Sequence, residues 1–413
     1  MRNLFTNTIF TLGLLALTAC GGGGSSTPTV TAPTINTFTA SATTVDNGQP
    51  VTLAWTLGGS APTSVKVDNT TLSATATSTT VTPKARQTYT LTVTNSAGTV
   101  SKAVSVVSKG VTAFSTSNIF VPNFMAKDPS GNIYVVEVGV SGSIHKVTPA
   151  GVVSTFSNTP ACTGLAWSSF HNALLAVNPW GLVQFSASGV KSTLIANFPY
   201  NTFTVTKDGT VFAVNQNAFG HTITKIYPNG ATATITGDAQ FFPGNMILDA
   251  TESNLYVVGG SSGSTMVTID GIPAMVLTSS NLIYKIDLTT SLITVVAGQF
   301  NVDGHADGLG TAATFSNPDL ATLSNDGTAL YVTDINNGRI RKLILATGQV
   351  TTVAGSLTPQ PYTGSTPFVA GTYAGAVFTP LGIVQNANGD LVFAQAASTN
   401  GIIVATPICV VTL

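Results

Sequence analysis

The feature that most constrains this chain is a phrase it writes six times. Gly131-Asn132-Ile133-Tyr134-Val135-Val136-Glu137 returns as Ala173 to Asn178, as Thr210 to Asn215 and as Asn254 to Gly259. It returns again as Ala329 to Asp334 and as Asp390 to Gln395. Each copy is a short run of aliphatic, β-branched and aromatic residues, which is strand composition. A second phrase follows most copies: Ile144-His145-Lys146-Val147, Ile223-Thr224-Lys225-Ile226, Ile283-Tyr284-Lys285-Ile286 and Ile340-Arg341-Lys342-Leu343. Anchored at positions 133, 174, 211, 255, 330 and 391, the copies lie 41, 37, 44, 75 and 61 residues apart. The three shorter intervals are the length of one four-stranded blade of a β-propeller, and the two longer ones are blades with insertions. The expectation is an all-β chain with a six-bladed propeller over residues 110–413, seven blades being the alternative.

Charge decides what such a propeller does not bind. Charged residues make up 8% of the chain and the net charge is −1, so no basic field exists to attract nucleic acid. Arg2 precedes an apolar run from Ile9 to Leu17, too short to span a bilayer and shaped like a secretory signal. The run ends in Leu17-Thr18-Ala19-Cys20, which resembles the lipobox of bacterial lipoproteins. That resemblance implies a signal peptide over residues 1–20 and a lipid on Cys20, which anchors the chain to a membrane. Gly21, in place of the Asp that commonly retains such proteins at the inner membrane, implies the outer membrane, on either face. Residues 21–32, opening Gly21-Gly22-Gly23-Gly24-Ser25-Ser26, read as a flexible tether. Cys162 and Cys409 then share an oxidising compartment, where a disulfide and two free thiols both stay open.

Residues 33–108 carry a different pattern. Pro50 to Thr56 and Tyr89 to Thr94 alternate with period two, and Asn95-Ser96-Ala97-Gly98 reads as a turn. Six or seven short strands at this spacing predict a β-sandwich ahead of the propeller. The Thr-Leu-x-Trp and Tyr-Thr-Leu-Thr-Val-x-Asn-x-x-Gly phrases resemble bacterial immunoglobulin-like domains, without the antibody Cys pair. Trp55 is therefore expected to pack against aliphatic side chains alone. The junction is expected near Lys109-Gly110, and Val111 to Phe114 is expected to serve as an outer strand of the last blade.

The fullest copy of the repeat runs from Val295 to Gly355. It reads Val295-Val296-Ala297-Gly298, Asp303-Gly304-His305-Ala306-Asp307-Gly308, Ala313 to Pro318, Tyr331-Val332-Thr333-Asp334, Asn336 to Lys342 and Val350-Thr351-Thr352-Val353-Ala354-Gly355. This resembles the NHL-repeat family, whose pattern runs L-A-G, D-G, A-x-F-x-x-P-x-G, L-Y-V-A-D-x-x-N-x-R-I-R-K and V-T-T-L-A-G. Asp319 stands where that family carries a Gly or small residue, and the second, third and sixth copies lack the Asp and the Arg-Ile-Arg phrase.

Candidate functional residues follow from this frame. Glu137, Asn178, Asn215, Asp334 and Gln395 end second strands and are expected to ring one mouth of the propeller. Asn123, Asn245 and Asp319 precede or begin inner strands near the same mouth. Gluconolactonase-like propellers hold a divalent ion with Glu, Asn and Asp at inner-strand ends, so the alternative reading is a metal-dependent hydrolase or lyase with its site in the channel. His145, His171, His221 and His305 do not recur at matching positions, which argues against a zinc site like that of the peptide-amidating lyases. Asp303-x-His305-x-Asp307-Gly308 imitates the opening of a calcium loop, but its twelfth position is Thr314 and His suits calcium poorly. No cofactor is expected, and calcium at Asp303 and Asp307 is a weak candidate. No Gly-x-Ser-x-Gly, His-Glu-x-x-His or phosphate-loop motif is present. The insertions Gly259–Ser280, Gln299–Phe315 and Ser356–Thr379 fall in loops expected at the mouth. The first should be a protruding hairpin carrying Met266 and Met275, and the last carries Tyr362 and Tyr373 as contact residues. The leading reading is a lipid-anchored scaffold of the cell envelope that binds a protein or glycan partner.

Overall fold

The computed structural model describes residues 29–413 apart from 85, 116, 139–141, 160–161, 215–221, 238–240, 242, 260–262, 270–271, 279, 357–369, 375, 377, 396–397, 400–401 and 404. The signal, lipobox and tether, with Cys20, lie outside the described residues, as do Asn215 and Tyr362. The chain is all-β, and its one described helical element is the single 3-10 turn Gly310–Ala312. No helix among the described residues is long and apolar enough to cross a membrane.

The contacts divide the chain into two compact units. One gathers the segment ending at Phe38 with Trp55–Thr77 and Thr90–Ala103; the other holds Thr39–Ala54, Ser78–Tyr89 and Val104–Leu413. In the first unit, Ser64–Val67 pairs antiparallel with Thr70–Leu72 on one side and with Leu91 to Thr94 on the other. Trp55 is 2% exposed. Its Nε1 donates to the Ala76 carbonyl at 2.9 Å, and its ring meets Phe38 edge-on at 6.2 Å. Trp55 thus has an aromatic partner, contrary to the expectation of aliphatic packing alone. Asn95 closes the predicted turn, with Oδ1 accepting from Ala97 N at 2.9 Å and Nδ2 donating to Thr31 O at 2.8 Å.

The second unit contains the propeller. Blade 1 is Pro122–Lys127, Ile133–Glu137, Ser143–Val147 and Val153–Ser157, and blade 2 is Gly164–Ser168, Ala173–Asn178, Gly181–Phe185 and Lys191–Ala196. Blade 3 is Thr202–Val205, Val211–Val214, Thr222–Ile226 and Thr232–Thr236; blade 4 is Pro243–Leu248, Asn254–Gly259, Ser280–Asp287 and Ile293–Phe300. Blade 5 is Pro318–Leu323, Ala329–Asp334, Arg339–Ile344 and Gln349–Ala354, with Gly308–Leu309 added at its outer edge. Blade 6 takes Pro380–Gln385, Leu391–Gln395 and Cys409–Thr412 from the C-terminal end of the chain. Its fourth strand comes from before blade 1, where Val111 pairs with Val411 and Ala113 with Cys409. The inner strands neighbour one another in chain order, and the sixth returns to the first. Six blades therefore close the ring, and strands from both ends of the propeller sequence complete the last one, which removes an open sheet edge.

Blade packing explains why the second strands are apolar throughout and do not alternate. Ile133 and Val135 pack with Val392 and Ala394 of blade 6, whereas Tyr134 and Val136 pack with Leu174 and Ala176 of blade 2. Both faces of each blade are buried, so both parities must be apolar. The insertion in blade 4 forms the expected hairpin: Gly263–Ile269 pairs with Ile272–Thr278, Met266 opposite Met275, as a separate two-stranded sheet.

Candidate functional site

Register places the starts of the inner strands and the ends of the second strands at one mouth. Pro122 lies opposite Glu137, Pro243 opposite Gly259, Pro318 opposite Asp334 and Pro380 opposite Gln395, each with a bulge just after the proline. Proline fits there because its missing N–H faces no partner. The bulges turn Asn123, Asn245 and Asp319 out of regular pairing. They do so to different ends. Asn245 Oδ1 accepts from Ala321 N at 3.0 Å, stitching blade 4 to blade 5. Asn123 Oδ1 is buried without a hydrogen-bond partner among the described residues. In blade 5 the Thr333 hydroxyl fills the bulge, accepting from Leu320 N at 3.0 Å and donating to Leu320 O at 3.1 Å. The Asp319 carboxyl itself meets no described donor or cation, and burial alone pushes it up to about 6.

The second-strand ends differ even more. Asp334 is fully buried and accepts from Arg341 Nη1 at 2.8 Å, Asn337 Nδ2 at 2.8 Å and Ser316 N at 2.9 Å. Burial raises its carboxyl, and Arg341 with these hydrogen bonds works against that rise. Arg341, also fully buried, donates to Thr314 O, Ala306 O and Asp307 Oδ1, and lies 5.0 Å from the Phe315 ring centroid. Asn337 and Arg339 add bonds to the Gly304 and His305 carbonyls. The four residues clasp the loop entering blade 5. The two weak calcium candidates belong to that clasp. Asp303 Oδ1 accepts from Asn281 Nδ2 at 2.9 Å and Ser316 Oγ at 3.2 Å. Asp307 accepts from Arg341 and Thr352; burial opposes its ionisation, and these bonds hold it below the usual carboxylate range. Among the described residues no group of three or more acidic, His or Cys side chains is arranged to hold a metal ion.

Blade 1 has a smaller version of the clasp. His145 lies opposite Val135 as Arg341 lies opposite Val332, so His145 holds the Arg341 position. Its Nε2 meets Glu137 Oε2 at 2.5 Å, with the two side chains 15% and 16% exposed. Sequence reading did not connect these two residues, although alignment of the second phrase sets His145 beside Arg341. In blade 2, Asn178 Oδ1 accepts from Trp180 N at 3.0 Å, and its Nδ2 is buried with no partner among the described residues. In blade 6, Gln395 is fully buried and neither amide atom has a partner among the described residues; Cys409 occupies the Arg341 position. Asp334 and Gln395 therefore do not face solvent at the mouth. Tyr373 is not a free contact residue either. Its hydroxyl donates to Thr412 O at 2.5 Å, its ring packs on the blade 6 cluster, and burial pushes it up to about 12. Cys162 and Cys409 are free, buried thiols in separate clusters.

No family model and no curated protein matches the chain. Solved structures do match. An auxiliary nutrient binding protein from Bacteroides ovatus is 15% identical and aligns over 86% of this chain and 94% of its own, with a TM-score of 0.59. One from Bacteroides thetaiotaomicron is 16% identical over 91% of this chain and 96% of its own, at a TM-score of 0.55. A putative phosphatase from the same organism is 13% identical over 92% and 97%, at 0.52. At these identities the likeness is one of fold.

Proposed function

We propose that this chain is a binding protein of the bacterial cell envelope, of NHL type, that takes a protein or glycan at the mouth of its propeller. One observation carries this reading: the hairpin Gly263–Thr278 is inserted where a blade needs only a turn, at the end where the inner strands begin. An extra hairpin on a rigid ring is what a recognition surface requires. The two nutrient-binding structures support it, because they align with nearly the whole chain. A lipid on Cys20 and the Gly/Ser tether after it would hold such a protein at the outer membrane. Deleting Gly263–Thr278 is expected to leave the melting temperature unchanged and to abolish capture of partner from envelope extract. Capture that survives the deletion places the binding face elsewhere. Fatty-acid labelling of the wild type and its loss in Cys20→Ala test the anchor separately.

A second reading, a divalent-cation site in the channel, draws on the unpartnered oxygens of Asp319 and Asn123. Both are acceptors, and Asp319 supplies a charge, so these two residues would hold the ion and chemistry would follow from its Lewis acidity. A rise in melting temperature with calcium or magnesium that disappears in Asp319→Asn supports it. Identical melting with and without the ions removes it.

A further inference from the structure

We infer that Trp180 is a stacking platform for a saccharide, an inference that rests on the binding reading above and names its ligand class. The connection between Ala173–Asn178 and Gly181–Phe185 is only Pro179-Trp180, the shortest link between second and third strands in any blade. It is tied at every point. Asn178 Oδ1 accepts from Trp180 N at 3.0 Å, and Trp180 O accepts from Asn197 N at 3.2 Å. Gly181, at φ +144°, presses against the Ile195 carbonyl with no room for a Cβ. Proline fixes the remaining torsion. A turn this tight favours small or polar residues, yet it presents an indole that is 56% exposed.

Phe120 and Phe170 are the other exposed aromatics among the described residues, and Phe170 has a structural explanation. Phe170, 53% exposed, lies on Gly209, where its ring leaves no space for a side chain. Trp180 has no such seat, and its one described ring or cation contact is Lys191 Nζ, 4.7 Å from the ring centroid. That contact lies outside the repeat. Lys146 over Tyr134, Lys225 over Phe212 and Lys342 over Tyr331 each join directly paired residues of the second and third strands. Lys191 instead comes from the outer strand to meet a loop residue.

A flat, electron-rich ring on a tied turn, beside an ammonium donor, matches one chemistry well. The C–H face of a pyranose stacks on the indole, and its hydroxyls accept from Lys191 Nζ. A turn held in place beforehand lowers the ordering cost of binding at the ring it carries. A protein partner would call for a contiguous apolar patch around the anchor. Here the flanking residues are Pro179, Asn197 and Lys191, all exposed.

The test titrates the full-length protein with short soluble oligosaccharides of glucose, mannose and N-acetylglucosamine. The readouts are tryptophan emission and retention on the matching polysaccharide. Of the three tryptophans, Trp55 is buried and Trp167 part-buried, so a saturable emission change reports chiefly on Trp180. At least one series should bind. Trp180→Ala should weaken that binding by roughly tenfold, about the worth of one stacked ring. Trp180→Phe should retain most of it, and both variants should melt with the wild type. Binding that is equal in wild type and Trp180→Ala overturns the platform while leaving glycan binding intact. If no series binds, but deleting Gly263–Thr278 still abolishes capture of an envelope protein, the saccharide assignment falls and the binding-protein reading stands.

Discussion

Asp334 of blade 5 and Gln395 of blade 6 end equivalent strands, face equivalent prolines and are both sealed from solvent. One accepts three hydrogen bonds, two of them from fully or largely buried side chains; the side chain of the other has none among the described residues. The cause is one position on the third strand. Blade 5 places Arg341 there and blade 6 places Cys409, whose thiol is too weak a donor to replace a guanidinium. A polar residue at the end of a second strand is therefore a clasp only when the third strand answers it. Blade 1 answers Glu137 with His145, which keeps the pair, with no bond from it to the incoming loop among the described residues.

The largest expected effect comes from breaking the complete clasp. Arg341→Leu leaves Asp334 buried and unpaired and frees the Ala306 and Thr314 carbonyls, so a loss of about 3–5 kcal/mol is expected in urea unfolding. Pairing it with Asp334→Leu should restore much of that loss, because the stranded charge goes too. A single-variant loss below about 1 kcal/mol would erase the distinction between blade 5 and blade 6.

The second effect contrasts two acids of the same blade. Asp334 is answered by Arg341, whereas Asp319 is answered by nothing described and is raised from 3.8 to about 6. A carboxyl whose folded value lies above its unfolded one weakens the fold as pH rises from about 4 through 6. At ~1.36 kcal/mol per pKa unit, the ionised form costs about 3 kcal/mol above pH 7. Asp319→Asn should therefore be more stable than the wild type by about that much at pH 7.5, with the gap closing below pH 4. Parallel unfolding curves across this range would show that Asp319 has a partner in solution. Closure of the gap by added calcium would identify that partner as the cation of the second reading.

How much of this could be read from the sequence follows the same line. The six-fold phrase is visible because burying both faces of a blade forces an apolar run at every second strand, as in Ile133–Glu137 and Ala329–Asp334. Closure through Val111 to Ala113 was legible because one strand of the sixth blade was missing from the C-terminal end. The site was less legible, since it depends on register across loops. Glu137 and His145 are eight residues apart and meet only because Val135 pairs with His145. Tyr373 reads as a loop aromatic, yet its hydroxyl finds a backbone carbonyl 39 residues away. Exposure of Trp180 depends on a two-residue turn that no periodicity marks.

Gln395 gives the smallest and most discriminating effect. Two unpaired amide atoms at a fully buried site each forgo bonds they would make in water, and such groups cost about 1–3 kcal/mol apiece in mutational data. Methionine has nearly the same length, carries no strong donor or acceptor and adapts to irregular space. Gln395→Met should consequently stabilise the fold by about 1–2 kcal/mol, the reverse of what removing Arg341 does in blade 5. The gain should be independent of pH, because neither residue titrates and Cys409 is held protonated by burial. A loss of stability of about 1 kcal/mol or more would mean that the amide is bonded in solution, to an internal water or a bound molecule. Blade 6 would then have a clasp of its own, with a mobile partner in place of the arginine.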